Sequence, residues 1–416
     1  MADPAMENRA DHAAATPWLS IIGIGEDGLD GLSAAARSAL RRAELVFGGQ
    51  RHLSLAASLI QGQAQPWPSP FADGIAAVLA ARGRAVAVLA SGDPFLYGVG
   101  ATLAPHLLPG EWIAYPAPSA PALAASRLGW KLAEVEIISL HGRDITRLRP
   151  HLHPGQRLLL LTSDGQAPAA IAQMLVMDGF GPSQLTLFNR LGGPAESRAD
   201  GSARDFTGIT ADALNLLAVT VAAEPAARLP QLTPGLPDDW FQHDGQITKA
   251  PVRALTLAAL SPRRGELLWD LGAGSGSIAI EWCLRHPSQR AIAVERHPER
   301  ATRIADNARR FGVPDLKIIQ ADSADAITAL PAPDAVFIGG GARAALLAAC
   351  REALQPGGRL VVNAVTLETE ALLLAEHAAH GGSLLRLDIA QAAPVGPLTG
   401  WRPAMPIVQW RWEKPW

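Results

Sequence analysis

From Glu266 onward the sequence alternates short apolar runs with amphipathic stretches five times in succession, and no other feature limits the fold as tightly. Strand-like runs lie at 266–270, 290–295, 316–321, 334–338, 359–364, 383–390 and 406–412, and the first five gaps read as helices. "PERATRIADNARRFG", for example, ends on Gly312, as a helix C-terminus should. Strands joined by helical crossovers run parallel, because only antiparallel neighbours can be joined by a tight turn. The sixth gap, "QAAPVGPLTGWRPAM", is rich in proline and glycine and reads as a loop, so the last pair of strands is free to run antiparallel. The count predicts a seven-stranded, doubly wound, Rossmann-like sheet.

The first half also reads as α/β, but less regularly. Strands are expected at 19–24, 84–90, 136–140, 157–162 and 185–188, and helices at 33–43, 71–82, 96–107, 120–128 and 167–178. A proline-rich stretch around 222–240 with little periodicity separates the halves. The expected organisation is a tail over 1–16, a first domain over 17–222, a linker over 223–237 and a second domain over 238–416. The chain has 416 residues, 48% of them apolar, which is ample for two cores. A net charge of −3 lacks the basic excess of a nucleic-acid binder. No apolar run is long enough to span a membrane, and the N-terminus has no signal-peptide pattern, so a cytoplasmic protein is expected. Cys283 and Cys350 lie far apart in helix-like apolar patterns and read as core residues.

In "ELLWDLGAGSGSIAIEW" a strand runs into Gly272, Gly274 and Gly276, and a helix opens near Ser277. Such a turn lets backbone approach a ligand and aims free N–H groups at it. A dinucleotide fingerprint would place its third glycine at 277, which is serine here. Asp270 at the strand end would repel a pyrophosphate but suits a donor carrying an ammonium group and a sulfonium, as S-adenosylmethionine does. Glu295 ends the next strand at the offset where an acid reaches ribose hydroxyls, and Asp322 with Ser323 follows the third. A nicotinamide site and a purely structural turn are the alternatives. At the fourth strand Gly339, Gly340 and Gly341 leave a wall without side chains, which gives room to a broad planar acceptor.

In the first half, "GIGEDGLDGLS" reads as a turn, and "SGDPFLYG" places Asp93 and Pro94 where a capped helix would begin. Capping alone explains those two residues but not the flanking glycines. Together with "GGQRHL", "PAPSAPALAASRLGW" and "SLHGR", these motifs resemble the tetrapyrrole methylase family, the class III methyltransferases, over about residues 17–222. That likeness implies a fold of two α/β subdomains in which Gly23, Gly25, Gly92, Asp93, Tyr97, Ser119 and Ala120 border the methyl donor. "FNRLGGPAESR" fits as well, with Asn189 where an acid is common.

The second half resembles a class I methyltransferase. "DGQITKAPVRALTLAAL", "DAVFIGGG" and "LVVNAVTLETEALL" are similar to the precorrin methyltransferases that act at carbon 15 and decarboxylate. The likeness implies a donor site at Thr248, Asp270, Gly272, Gly274, Gly276, Glu295, Asp322, Ser323, Ala324 and Gly339. Along nearly the whole chain the resemblance is to bifunctional, decarboxylating methyltransferases of cobalamin biosynthesis. It implies methylation of precorrin-6Y at carbons 5 and 15 with loss of the ring C acetate to give precorrin-8. One S-adenosyl-L-methionine site per domain, no metal and self-association into a homo-oligomer are expected with it. No nucleic-acid or membrane partner is expected. The alternative is methylation of RNA or protein, with one half a non-catalytic donor-binding module. A substrate rich in carboxylates calls for arginine forks. Candidate contacts are Arg143, Arg190, Arg198 and Arg204 in the first half, and Arg253, Arg343, Asn363, Trp401 and Arg402 in the second. The sixth gap, with Trp401 and Arg402, emerges on the donor-binding edge and is expected to cover the substrate.

Overall fold

A computed structural model describes residues 17–206 and 208–416. The expected tail over 1–16 lies outside the described residues. The chain divides into two compact units, one holding residues up to Arg143 with His153–Arg228, the other Asp144–Leu152 with Leu229–Trp416.

The first unit contains two sheets. Strands β1 (Leu19–Ile24), β2 (Leu45–Gly48), β3 (Gln63–Pro66), β4 (Val86–Ser91) and β5 (Trp112–Tyr115) form an all-parallel sheet in the order β3-β2-β4-β1-β5. Alternate residues face opposite sides, so both faces are buried. Ile22, Val46 and Leu89 pack under one layer of helices, while Ile21, Phe47 and Val88 pack under the other. The second sheet is mixed: β6 (Glu136–Ser139), β7 (Arg157–Leu161), β8 (Gln184–Asn189), β9 (Ser197–Ser202) and β10 (Asn215–Thr220) lie in the order β6-β7-β10-β8-β9.

Five of these ten strands, β2, β3, β5, β9 and β10, are absent from the sequence reading. β2, β3 and β5 are four residues long, too short to show a period. β9 reads SRADGS, with no large apolar residue, as an edge strand can. The helix expected at 96–107 starts three residues later than read and finishes as a 3-10 turn. Residues 92–98 form a turn with Tyr97 at φ 53°, and the helix runs from Val99 to Leu103 and on through a 3-10 turn over Ala104–His106.

The second unit carries β11 (Leu267–Leu271), β12 (Arg290–Val294), β13 (Lys317–Ile319), β14 (Ala335–Ile338), β15 (Arg359–Ala364), β16 (Ser383–Leu387), β17 (Ala390–Val395), β18 (Leu398–Pro403) and β19 (Ile407–Glu413). Seven of them form one sheet in the order β13-β12-β11-β14-β15-β19-β16. The first five are parallel, and β19 pairs antiparallel with both β15 and β16. This is the doubly wound sheet expected of the alternation. The sixth gap is not a loop: β17 and β18 pair as an antiparallel hairpin whose turn holds Gly396 at φ 59°. Gly396 and Pro397 form its tip and Pro403 its end, while Pro394 and Gly400 lie within the paired strands.

Behind the sheet a fully buried Arg253 joins three segments. Its Nε donates to Glu281 Oε1 at 2.5 Å and Nη1 to Asp238 Oδ1 at 3.1 Å, and its remaining donors reach the carbonyls of Thr248 and Leu236. Glu281, itself 0% exposed, also accepts from the N–H groups of Gly235 and Leu236. The end of the proline-rich stretch is therefore anchored in this core. A substrate contact for Arg253 is corrected here, because its guanidinium has no solvent-facing donor to offer. Removing one partner of a buried pair leaves the other charge uncompensated and costs about 3–5 kcal/mol. Arg253→Ala is expected to destabilise the second domain by that amount in denaturant titration, with Glu281→Gln milder because Gln can still accept from backbone.

Candidate active sites

In the first unit, loops leaving β1, β4 and β5 converge at the carboxyl edge of the parallel sheet, where open α/β sheets bind ligands. A β-carbon on Gly23 would lie 1.8 Å from the Gly92 carbonyl oxygen and 2.8 Å from the Ala117 nitrogen. Gly92, at φ 55°, would press a β-carbon to 2.9 Å from Pro118 O and Ser119 Cα. A β-carbon on Gly25 would meet only the movable Asp27 carboxyl, at 2.6 Å. The edge is thus built from backbone. Asp93 Oδ1 accepts from Phe95 N at 2.8 Å and so holds the turn. Ser119 caps the helix Ala120–Leu128 by accepting from Ala122 N. Tyr97 is half exposed and donates to Ile137 O at 3.0 Å, which ties the turn to the second sheet.

The structure separates the expected arginines of this unit. Arg143 is exposed beyond β6. Arg190 Nε is held 2.6 Å from Asp212 Oδ2, and Asp212 is placed by Asn189, whose Oδ1 accepts from its N–H. A neutral amide at 189 therefore orients the arginine through Asp212. Arg198 and Arg204 are engaged by Asp200 and Glu224 on outer strand β9 and the turn beyond it.

In the second unit the carboxyl edge opens into a cavity of about 1020 Å³, at the top of the range for a single small ligand. Eight of the ten expected donor residues line it: Thr248, Gly272, Gly274, Glu295, Asp322, Ser323, Ala324 and Gly339. Gly272 and Gly274 have φ of 71° and 59°, which L side chains rarely adopt, and nothing crowds the space above them. Glu295, 4% exposed, accepts from Gly274 N and His297 N, each at 2.9 Å. Asp322 caps the short helix Ser323–Ala326. Acids at the ends of β12 and β13 and bare backbone beyond β11 fit a donor with ribose hydroxyls and a cationic methionine portion.

The other two expected residues lie beneath the cavity. Gly276 allows the helix Ser277–Cys283 to pack, since a β-carbon there would meet Ile304 at 2.7 Å. Asp270 is 1% exposed and its Oδ2 accepts from Ala279 N at 3.0 Å, so it holds the helix start rather than facing the donor. Burial pushes its carboxyl up to about 7, the Ala279 N–H pulls it back down, and the neighbouring Glu295 charge adds to the rise.

On the acceptor side the cavity gathers Arg343, Asn363 and Arg402, with the Gly339–Gly341 wall between. Gly340 and Gly341 have no atom within 4 Å of an added β-carbon. Asn363 lies at the floor, bonded at 2.9 Å to both Thr256 Oγ1 and Gln409 Nε2. The β17–β18 hairpin contributes Gln391, Ala392 and Ala393 beside Arg402, whereas Trp401 is 77% exposed and not among the lining residues. Sequence reasoning missed the wall Gly245–Lys249 apart from Thr248, and also missed Arg296 and Arg300. The run "ERHPER", placing two arginines just beyond the Glu295 strand end, was the available signal. Asp244 fixes Arg300 at 2.8 Å and, held by it, titrates well below the usual carboxylate range. Burial pushes both cysteine thiols up to about 12, in keeping with packing roles.

Two backbone-walled carboxyl edges on unrelated sheets, one beside paired acids and a wide acceptor chamber, define an S-adenosylmethionine-dependent methyltransferase. Residues 19–206 match the family model of the tetrapyrrole (corrin/porphyrin) methylases, and residues 239–414 that of the precorrin methyltransferase domain. The chain is 52% identical to a precorrin-6Y C(5,15)-methyltransferase (decarboxylating) of Sinorhizobium sp., covering 98% of this chain and 99% of the relative. It is 41% identical to the protein of the same name from Mycobacterium tuberculosis H37Rv, over 94% of this chain and 98% of that one. A cobalt-precorrin-6B C(15)-methyltransferase (decarboxylating) of Salmonella typhimurium is 35% identical over 39% of this chain and 85% of its own. The chain belongs to the family of precorrin-6Y C(5,15)-methyltransferases (decarboxylating).

The Asp270 carboxyl gives a pH test. Its folded value of about 7 exceeds the unfolded value near 4, so the folded state binds the extra proton between them. The stability tied to that proton is complete below about pH 4 and lost as pH rises through about 7. Asp270→Asn, which keeps an acceptor for Ala279 N, is expected to melt higher than wild type at pH 8. The difference should shrink towards pH 5, as read from the second-domain transition.

Proposed function

We propose that the two units divide the reaction, the first methylating carbon 5 of the precorrin and the second methylating carbon 15 and releasing the ring C acetate as carbon dioxide. The observation that carries this assignment is the Gly339–Gly341 wall, which opens the second cavity to a broad ring. Arg296, Arg343 and Arg402 meet in the same cavity without an acidic partner among the described ion pairs. The match of residues 239–414 to a precorrin methyltransferase domain supports it. So does a relative whose name gives carbon 15 activity alone and which covers 39% of this chain.

Each unit holds its own donor in this reading. Gly23, Gly25, Gly92, Asp93, Tyr97, Ser119 and Ala120 border the first. In the second, Glu295 takes the ribose hydroxyls, Asp322, Ser323 and Ala324 the adenine side, and Thr248, Gly272, Gly274 and Gly339 surround the remainder. Asp270 and Gly276 shape that turn from below. When bound, the donor supplies an electrophilic methyl on a sulfonium, so the transfer calls for no metal. The chain's contribution is alignment and exclusion of water. Arg343 and Arg402 pair with substrate carboxylates in bidentate fashion, and Arg143 and Arg190 are the counterparts in the first unit. Asn363 offers its amide at the chamber floor.

The acceptor is a small anionic macrocycle rather than a nucleic acid, in keeping with a net charge of −3. No helix among the described residues is long and apolar enough to cross a membrane, and the reading places the enzyme in the cytoplasm. Self-association is part of the proposal, and size-exclusion light scattering tests it.

A β-carbon at Gly340 meets nothing within 4 Å, so Gly340→Leu directs a side chain into the acceptor chamber. It is expected to abolish carbon 15 methylation and decarboxylation while carbon 5 methylation persists. Asp93→Ala, which frees the first-unit turn, is expected to do the reverse. Each activity is read by mass spectrometry on an acceptor already methylated at the other carbon. Loss of both activities in either folded variant contradicts the division.

A further inference from the structure

Four polar side chains of the first unit meet at the carboxyl edge of its parallel sheet and have no role in the account above. Glu26 follows β1, Arg51 and His52 open the helix Gln50–Ala56 after β2, and Ser91 ends β4. Arg51 Nη1 bonds Glu26 Oε1, and Arg51 Nη2 lies 2.8 Å from Ser91 Oγ and 2.7 Å from His52 Nε2. Ser91 Oγ is in turn 2.8 Å from His52 Nε2.

A guanidinium only donates, so the Nε2 facing it carries the lone pair and the ring proton sits on Nδ1. That Nδ1 is buried and has no hydrogen-bond partner. An unmade bond of this kind costs stability, and a cluster built only for structure would be expected to satisfy it. Burial, with the Arg51 charge second, lowers the His52 pKa to about 4, so at neutral pH Nε2 is an acceptor shared between Arg51 Nη2 and the Ser91 hydroxyl. The charged and titratable groups gathered about the ring are Arg51 on its own helix and, through Arg51, Glu26 beyond β1. Ser91 on β4 is exposed and immediately precedes Gly92 and Asp93 of the donor edge.

Methylating a ring carbon exchanges hydrogen for methyl. The new C–C bond forms with a ring electron pair, the S–CH₃ bond breaks with its pair left on sulfur, and the ring gains a positive charge. Neutrality returns when a proton departs and the C–H pair re-enters the ring. We infer that in the first unit Ser91 Oγ takes this proton while passing its own to His52 Nε2. A weak base suffices, because a cationic conjugated ring is a strong carbon acid. Arg51, pinned by Glu26, repels the imidazolium, which returns its Nε2 proton through the exposed Ser91 hydroxyl to water. Ser91 is then the catalytic residue, and His52 the positioning residue that acts through it. The inference rests on carbon 5 methylation belonging to this unit.

The test uses full-length His52→Gln and Ser91→Ala on an acceptor already methylated at carbon 15. Carbon 5 kcat is expected to fall on the order of 10²-fold, with a larger isotope effect from deuterium at carbon 5. KM, donor binding and carbon 15 activity should stay within twofold, which also reports folding. Nitrogen NMR of the free protein, assigned by difference from His52→Gln, should show a neutral Nδ1–H ring at pH 7. A carbon 5 kcat within twofold of wild type in both variants, or an Nε2–H ring, overturns the relay. If Asp93→Ala removes carbon 5 methylation while these variants keep it, only the relay is wrong. If all three keep it, the division between units is wrong.

Discussion

At both parallel edges the turns after the strands can be made only by glycine, through close backbone approach in the first unit and left-handed backbone in the second, and the sites depend on those turns. In the first unit a side chain at Gly23 would collide with the Gly92 carbonyl, so β1 and the loop after β4 can meet only through glycine. In the second, Gly272 and Gly274 turn the chain through left-handed conformations while leaving the space above them clear. A methyl donor needs backbone donors and acceptors at close range and little bulk, and the proposed division has two unrelated topologies meeting that condition at strand ends.

Buried charge then fixes the turns. Glu295 ties the end of β12 to the glycine turn after β11 by accepting from Gly274 N, and Asp270 ties that turn to its helix through Ala279 N. The Glu295 charge opposes ionisation of Asp270, so a cationic ligand nearby would relieve that cost. Arg253 does comparable work behind the cavity, joining the carbonyl of Thr248 on the wall to Glu281 on the helix that follows the turn. Rigidity at the donor edge contrasts with the acceptor side, where Gly340 and the β17–β18 hairpin leave the chamber wide.

The sheet of the second unit was legible because its period is repeated five times, and each glycine or acid that ends a strand falls at the same edge. Side-chain direction was not legible. Asp270 and Glu295 both end strands of one sheet, yet one faces down and the other lines the cavity. Arg253 looked like any other arginine near a site, and only its distant partner Glu281 reveals a core residue. The first unit was harder because its strands are short or polar, as at β2 and β9, and their pairing is set by partners far along the chain. The sixth gap misled for a local reason: a hairpin tip and a loop share glycine and proline.

The central claim is that one chain carries two independent donor sites. Calorimetric titration of the full-length protein with S-adenosylhomocysteine counts them directly. The account predicts two sites per chain, one of which remains when Gly274 is changed to valine in the second unit. A stoichiometry of one in the wild-type protein, with both methylated products still formed, would contradict it.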